Sequence, residues 1–74
     1  MKIIFEDHGQ DFLEFTVQNS TGRIIDCKPF QFSIWSKYKV TNTKTLFKGG
    51  QVELSHLIDG TTLTIKYTIE EIIL

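Results

Sequence analysis

Trp35, Lys37 and Lys39 alternate with Ile34, Tyr38 and Val40 along one stretch of this chain. If that stretch is extended, its even positions face a core. Gln31, Ser33, Trp35, Lys37 and Lys39 then share the opposite face, because strand side chains alternate. An indole set among lysines can stack on a base or a sugar while the ammonium groups meet phosphates or carboxylates. Lys44 and Lys48 prolong the basic series, so the expected binding residues are Trp35, Lys37, Lys39, Lys44 and Lys48. Two other readings compete. Trp35 can pack under a loop, against Phe12 or Ile4 or in a second minor core, and lysines also protect exposed strand edges from aggregation. No arginine lies among these lysines, which weakens a specific nucleic-acid reading, since bidentate base and phosphate contacts favour arginine.

The other reactive side chains make no catalytic or metal-binding pattern. Cys27 is the only cysteine, so an internal disulfide and a cysteine-cluster zinc site are both excluded. His8 and His56 lie far from it and from each other, without short ligand spacing. Cys27 is expected on a buried face, and His56 is expected as a partly buried structural residue opposite Leu63. Nothing positions a Cys–His nucleophilic pair. Asp7 and Asp11 flank a turn and are expected to shape it. Lys48-Gly49-Gly50 lacks the spacing and terminal Lys-Ser/Thr of a phosphate loop. No catalytic residue, metal site or cofactor is expected, and the chain is read as a non-enzyme.

Composition narrows the class further. With 74 residues the chain makes a single domain, residues 1–74, and a domain of this size buries roughly 60–65% of its unfolded surface. That leaves little room for an enclosed pocket. The net charge of −1 hides a segregated distribution: residues 1–26 sum to −3, residues 27–52 to +5 with no acid, and residues 53–74 to −3. No apolar run reaches membrane-spanning length, and the start turns acidic after three apolar residues. Without disulfides or a recognisable leader, the expected location is the cytoplasm. Asn19-Ser20-Thr21 fits a glycosylation acceptor, but is read as turn chemistry.

Turn signals then define the elements that must carry these residues. Asp59-Gly60 is a two-residue hairpin turn that favours positive φ; it sets Val52 opposite Tyr67, Leu54 opposite Ile65 and Glu53 opposite Lys66. Ser20-Thr21-Gly22 fits a three-residue loop with glycine left-handed, placing Val17 opposite Ile25, Phe15 opposite Cys27 and Glu14 opposite Lys28. His8-Gly9-Gln10, read the same way, brings Phe5 to Leu13 and Ile3 to Phe15. Apolar meets apolar and charge meets opposite charge, as cross-strand pairing requires.

Strands are therefore expected at about residues 1–6, 12–18, 23–28, 30–40, 51–58 and 61–69, with a short one at Leu46-Phe47. Met1, Ile3, Phe5, Leu13, Phe15, Val17, Ile25 and Cys27 should share the inner face. Pro29 interrupts, and the inward phase passes to Phe30, Phe32, Ile34, Tyr38 and Val40, as a bulge or sheet corner would produce. Residues 41–45 read as a turn or loosely packed edge. The tail, residues 69–74, admits a strand or one helical turn, and the strand is preferred. The fold class is all-β: a small antiparallel barrel or two-sheet sandwich of six to seven short strands.

Function is less constrained. The expected role is a non-enzymatic interaction or accessory module with a protein partner. The principal alternative is a nucleic-acid-binding small barrel using Trp35 with Lys37 and Lys39. A weaker one is a carbohydrate or small-molecule binder. No membrane partner is expected. A weak homodimer through a terminal edge strand, at Met1–Glu6 or the Ile72-Ile73-Leu74 tail, is a further expectation.

Overall fold

The computed structural model describes residues 1–7, 11–29 and 32–74. The chain folds as an all-β antiparallel sheet of six strands: β1 (Lys2–Asp7), β2 (Asp11–Val17), β3 (Ile24–Lys28), β4 (Lys39–Val40), β5 (Gln51–Ile58) and β6 (Thr61–Ile73), with one helical turn, α1 (Phe32–Trp35), between β3 and β4. Strand order is β3-β2-β1-β6-β5-β4. Among the described residues the two ends of that order meet at a single antiparallel bridge, Arg23–Lys39, supported by the Val40 N–H donating to the Gly22 carbonyl at 2.8 Å. The sheet thus curls toward a barrel without a continuous closing ladder.

Cross-strand register follows the turn chemistry closely. Phe5 faces Leu13 and Ile3 faces Phe15. Val52 faces Tyr67, Leu54 faces Ile65 and His56 faces Leu63 around a turn in which Asp59 and Gly60 both have positive φ. The His8-Gly9-Gln10 turn itself lies outside the described residues, as does the Phe30-Gln31 pair. At β2–β3, Phe15 faces Cys27 and Glu14 faces Lys28 as expected, but the pairing shifts by one residue before the turn, so Ile24 and not Ile25 faces Val17. A bulge is the cause: one extra residue on β3 makes the pattern in-out-out-in from Ile24 to Cys27, and Ile25 points to solvent.

The same device explains the tail. β1 pairs with the far half of β6 and slips by one residue at Glu70, so Ile69 and Ile72 both face inward with Glu70 and Glu71 outside. A spacing of three between inward residues imitates a helical turn in the sequence, yet the residues stay in the strand to Ile73.

The stretch 30–40 departs from the expected long strand. Only Lys39–Val40 is extended, while Phe32–Trp35 makes a helical turn. Tyr38 and Val40 do face inward, but the turn reverses the two residues that decide the site: Trp35 is 7% exposed and Ile34 is 54% exposed. Short apolar alternation does not separate a strand from a tight turn. Here the deciding factor is the large indole, which fills a gap among aromatic rings. Nor is Leu46-Phe47 a strand. Turns closed by Thr45 N–H to the Asn42 carbonyl and Gly50 N–H to the Phe47 carbonyl occupy this region. Leu46 is half-buried against the core, and the Phe47 ring lies over Gly50, where a Cβ would collide with it at 2.7 Å.

One core joins the sheet. It contains Ile3, Phe5, Leu13, Phe15, Val17, Ile24, Cys27, Trp35, Val40, Val52, Leu54, Tyr67 and Ile69. Every strand contributes to it, so the chain buries its apolar stripe as a unit.

Candidate functional site: the β5–β6 arm and its basic border

Each member of the expected basic-aromatic row has a defined place. Trp35 belongs to the core. Its ring is centred 5.3 Å from Phe15, 5.3 Å from Tyr38, 6.2 Å from Tyr67 and 6.5 Å from Phe5, in tilted or edge-on geometries. Such arrangements suit the aromatic quadrupole. Its Nε1 is buried with no hydrogen-bond partner among the described residues. The placement of Trp35 on an outward face is therefore corrected, because a helical turn aims it inward. Lys37, Lys39, Lys44 and Lys48 are all exposed. Lys39 stands beside Arg23 at the bridge and opposite Ser55. Lys44 and Lys48 lie in the turns that follow β4. Among the described residues the ion pairs are Lys2–Glu14 at 3.8 Å and Lys66–Glu53 at 4.0 Å, and none of these four lysines takes part.

Asn42 holds this segment against the sheet. Its side-chain Nδ2 donates to the Gln51 carbonyl at 2.8 Å, and its Oδ1 accepts from the Glu53 N–H at 3.0 Å. The side chain so replaces a missing strand residue beside β5, and Thr41 N–H donates to the Glu53 carbonyl at 3.0 Å. β4 covers β5 as far as Ser55. One residue further, the Tyr38 and His56 rings meet at 5.2 Å, and there the cover ends.

Beyond that point β5 and β6 continue as an arm. Pairing runs unbroken to Ile58–Thr61, but the apolar residues there are bare: Leu57 is 67%, Leu63 45% and Ile58 43% exposed. Ile58 and Leu63 continue the inward row of Leu54 and Ile65, while Leu57 faces out with Ser55 and Thr64. The arm thus presents Ile58 and Leu63 to solvent on its inner face and Leu57 among Ser55, Thr62 and Thr64 on its outer face. The sequence contained this signal as alternation that persists to the turn, but alternation alone does not reveal where the covering strand stops.

Among the described residues, the β6 edge between its turn and β1 is also unpaired. Ile69 bonds Gly49 and Gly50 on the β5 side through both its N–H and its C=O. Backbone groups alternate along an antiparallel strand, so Ile65 and Leu63 also point to β5, while Thr62, Thr64 and Lys66 point away. Among the described residues β1 pairs with β6 from Ile69 onward, and no strand pairs with Thr62, Thr64 or Lys66 on that side.

Titratable chemistry is sparse. Cys27 is buried, and burial pushes its thiol up to about 11, with the Asp26 charge adding to the effect. That favours the unreactive protonated form. Among the described residues no enclosed cavity is found, and no three of His, Cys, Asp or Glu gather as metal ligands. No helix among the described residues is long and apolar enough to cross a membrane. No family model, no curated protein and no solved structure matches this chain.

Proposed function

We propose that the protein is a small non-enzymatic β module that binds another polypeptide through its β5–β6 arm. One observation carries this reading: a fully paired hairpin leaves its covering strand at Ser55 and presents Leu57, Ile58 and Leu63 to solvent. Apolar side chains on a pre-formed element lose little conformational entropy on docking, and clustered exposed apolar residues mark interaction sites. Lys39, opposite Ser55 at the base of the arm, and Lys37 two residues before it supply a polar rim with no ion-pair partner among the described residues.

The test is capture of partners from a native extract by the wild-type protein and by a Leu57→Ser, Leu63→Ser variant. The reading requires the variant to stay folded and lose its protein partner, with nuclease making no difference. Retained capture by the variant would remove the arm from the site.

A second reading, nucleic-acid binding, is favoured by the exposed, unpaired Lys37, Lys39, Lys44 and Lys48 together with Arg23 beside Lys39. Burial of Trp35 takes away its stacking surface, so it would act by charge alone. Such binding should fall steeply with salt as counterions are released, and Lys37→Glu with Lys39→Glu should abolish it. A carbohydrate or small-molecule role also relied on an exposed Trp35, and no observation favours it.

A further inference from the structure

We infer that the segment after β4 is a binding site for single-stranded nucleic acid without sequence preference, with Phe47 as the ring on which a base stacks and Lys44 and Lys48 meeting phosphates. The site goes beyond the arm and does not depend on it. At Lys37 and Lys39 a nucleic acid finds charge alone; here it finds charge and a ring.

Phe47 is 64% exposed, yet it is held in place. Its ring lies against the buried Gly50, and a Cβ added there would stand 2.7 to 3.0 Å from three ring atoms, Cζ, Cε1 and Cδ1. Gly50 does not have the positive φ of Gly49 or Gly60, so its backbone does not call for glycine. The ring does. The frame beneath is anchored at both ends. Gly50 N–H donates to the Phe47 carbonyl at 2.9 Å, Gly49 N–H to the Ile69 carbonyl at 2.9 Å, and Ile69 N–H to the Gly50 carbonyl at 2.8 Å. Asn42 ties the start of the segment to β5. A ring fixed in water before any ligand arrives loses little freedom on stacking. An exposed apolar residue by itself needs no explanation, but one seated on a glycine and bordered by cations does.

Charge selects the partner. Residues 27–52 contain five lysines and no acid. Lys44 and Lys48 are exposed, and among the described residues no ion pair reaches either, although Glu70 follows Ile69 on the neighbouring strand. Earlier in the same tract the bridge sets Arg23 opposite Lys39. Directly opposed like charges destabilise a strand pair, and a polyanion lying along the tract relieves that repulsion. The absence of arginine beside Phe47 fits as well. Lysines follow a phosphate backbone as point charges, whereas reading base edges favours arginine. Stacking tolerates any sequence, because every base has a π face. A single strand repeats one ring and one charge per nucleotide, the combination that Phe47 and its two lysines present.

Fluorescence anisotropy with a labelled oligothymidylate of about 12 nucleotides, at low and at moderate salt, tests this on the full chain. Wild type should bind. Phe47→Ala and Phe47→Leu, which keeps an apolar side chain over Gly50, should each weaken binding about tenfold with its salt dependence unchanged, and Phe47→Tyr should restore it. Lys44→Gln with Lys48→Gln should lower the slope of log K against log salt by about 1.4, since each phosphate contact on a single strand contributes about 0.7. Thermal melts identify any variant that fails to fold, and the contrast of Phe47→Leu with Phe47→Tyr decides the matter if Phe47→Ala is one of them. A duplex of the same length should bind more weakly, because its bases are already stacked. No binding by wild type, binding indifferent to Phe47→Leu, or equal Phe47-dependent binding of poly-glutamate would overturn the inference. Each of these leaves the arm to be judged separately by the Leu57→Ser, Leu63→Ser capture.

Discussion

The β1–β2 pair and the β5–β6 arm are built on the same local pattern and meet opposite fates. Both alternate apolar and polar residues, and both pair in the register expected from the sequence. Ile3, Phe5, Leu13 and Phe15 end up fully or almost fully buried, because α1 and β6 supply aromatic and apolar partners on the inner side. Leu57, Ile58 and Leu63 have no such partner, because the strand that should cover them is only two residues long. Hairpin strength and core membership are therefore separate properties. The first is local; the second depends on what the rest of the chain brings to the same face.

The sharpest way to break the covered half is at Trp35. Trp35→Ala removes the ring that contacts Phe15, Tyr38 and Tyr67, and should cost about 3–5 kcal/mol. A domain this small has only a few kcal/mol in reserve, so a thermal melt should show a protein unfolded at ordinary temperature. A melt close to wild type would restore Trp35 to an exposed face.

Gly22 is the next largest effect. Its φ of +76° belongs to the left-handed region, and a Cβ there would run into the carbonyl oxygen of Val40, to which Gly22 is joined across the bridge. Gly22→Val should destabilise by about 2–3 kcal/mol through strain and collision together. It should also loosen β4 from β3, visible as loss of amide protection at Val40. Asn42→Ala removes the two bonds that stand in for a strand residue beside β5, and should cost about 1–2 kcal/mol by denaturant titration.

Cys27 gives a pH signature. Its folded pKa lies near 11 against an ordinary value of 9.0, so the folded state holds the proton more tightly than the unfolded state does. The group should leave stability flat below pH 9 and reduce it as pH rises from 9 toward 11. Cys27→Ala should remove that part of the alkaline loss. The smallest effect on stability belongs to the uncovered half: Leu57→Ser should change it by no more than about 0.5 kcal/mol, although the proposed binding depends on it. The contrast between Trp35 and Leu57, two large apolar residues of opposite consequence, is the comparison in its simplest form.

Much of the covered half was readable in the sequence. The registers expected for β1–β2 and β5–β6 are the ones observed, and the inward face of Ile3, Phe5, Leu13, Phe15, Val17 and Cys27 follows from strand period alone. Bulges were not readable: Ile24-Ile25 offers two equivalent side chains, and only the three-dimensional pairing chooses between them. Residues 30–40 were misplaced for a different reason. Alternation there is real at Tyr38 and Val40, but the size of Trp35 and the aromatic gap beside Phe5 and Phe15 outweigh local β preference. For the candidate site, the exposure of Lys37, Lys39, Lys44 and Lys48 was legible from their polarity. The bare arm was not, since it results from the early end of β4, a distant event in the sequence.

Residue-resolved amide hydrogen exchange, on protein dilute enough to be monomeric, tests the comparison most directly. A paired but uncovered arm predicts alternating protection along β6: the Leu63 and Ile65 amides, bonded to β5, should exchange slowly, while those of Thr62, Thr64 and Lys66 exchange close to the rate of an unstructured chain. The Ile3, Phe5 and Leu54 region should be the slowest to open. Equal, strong protection at Thr62, Thr64 and Lys66 in the monomer would mean that the arm's edge is already occupied. Uniformly fast exchange from Leu57 to Lys66 would mean that the arm is not formed.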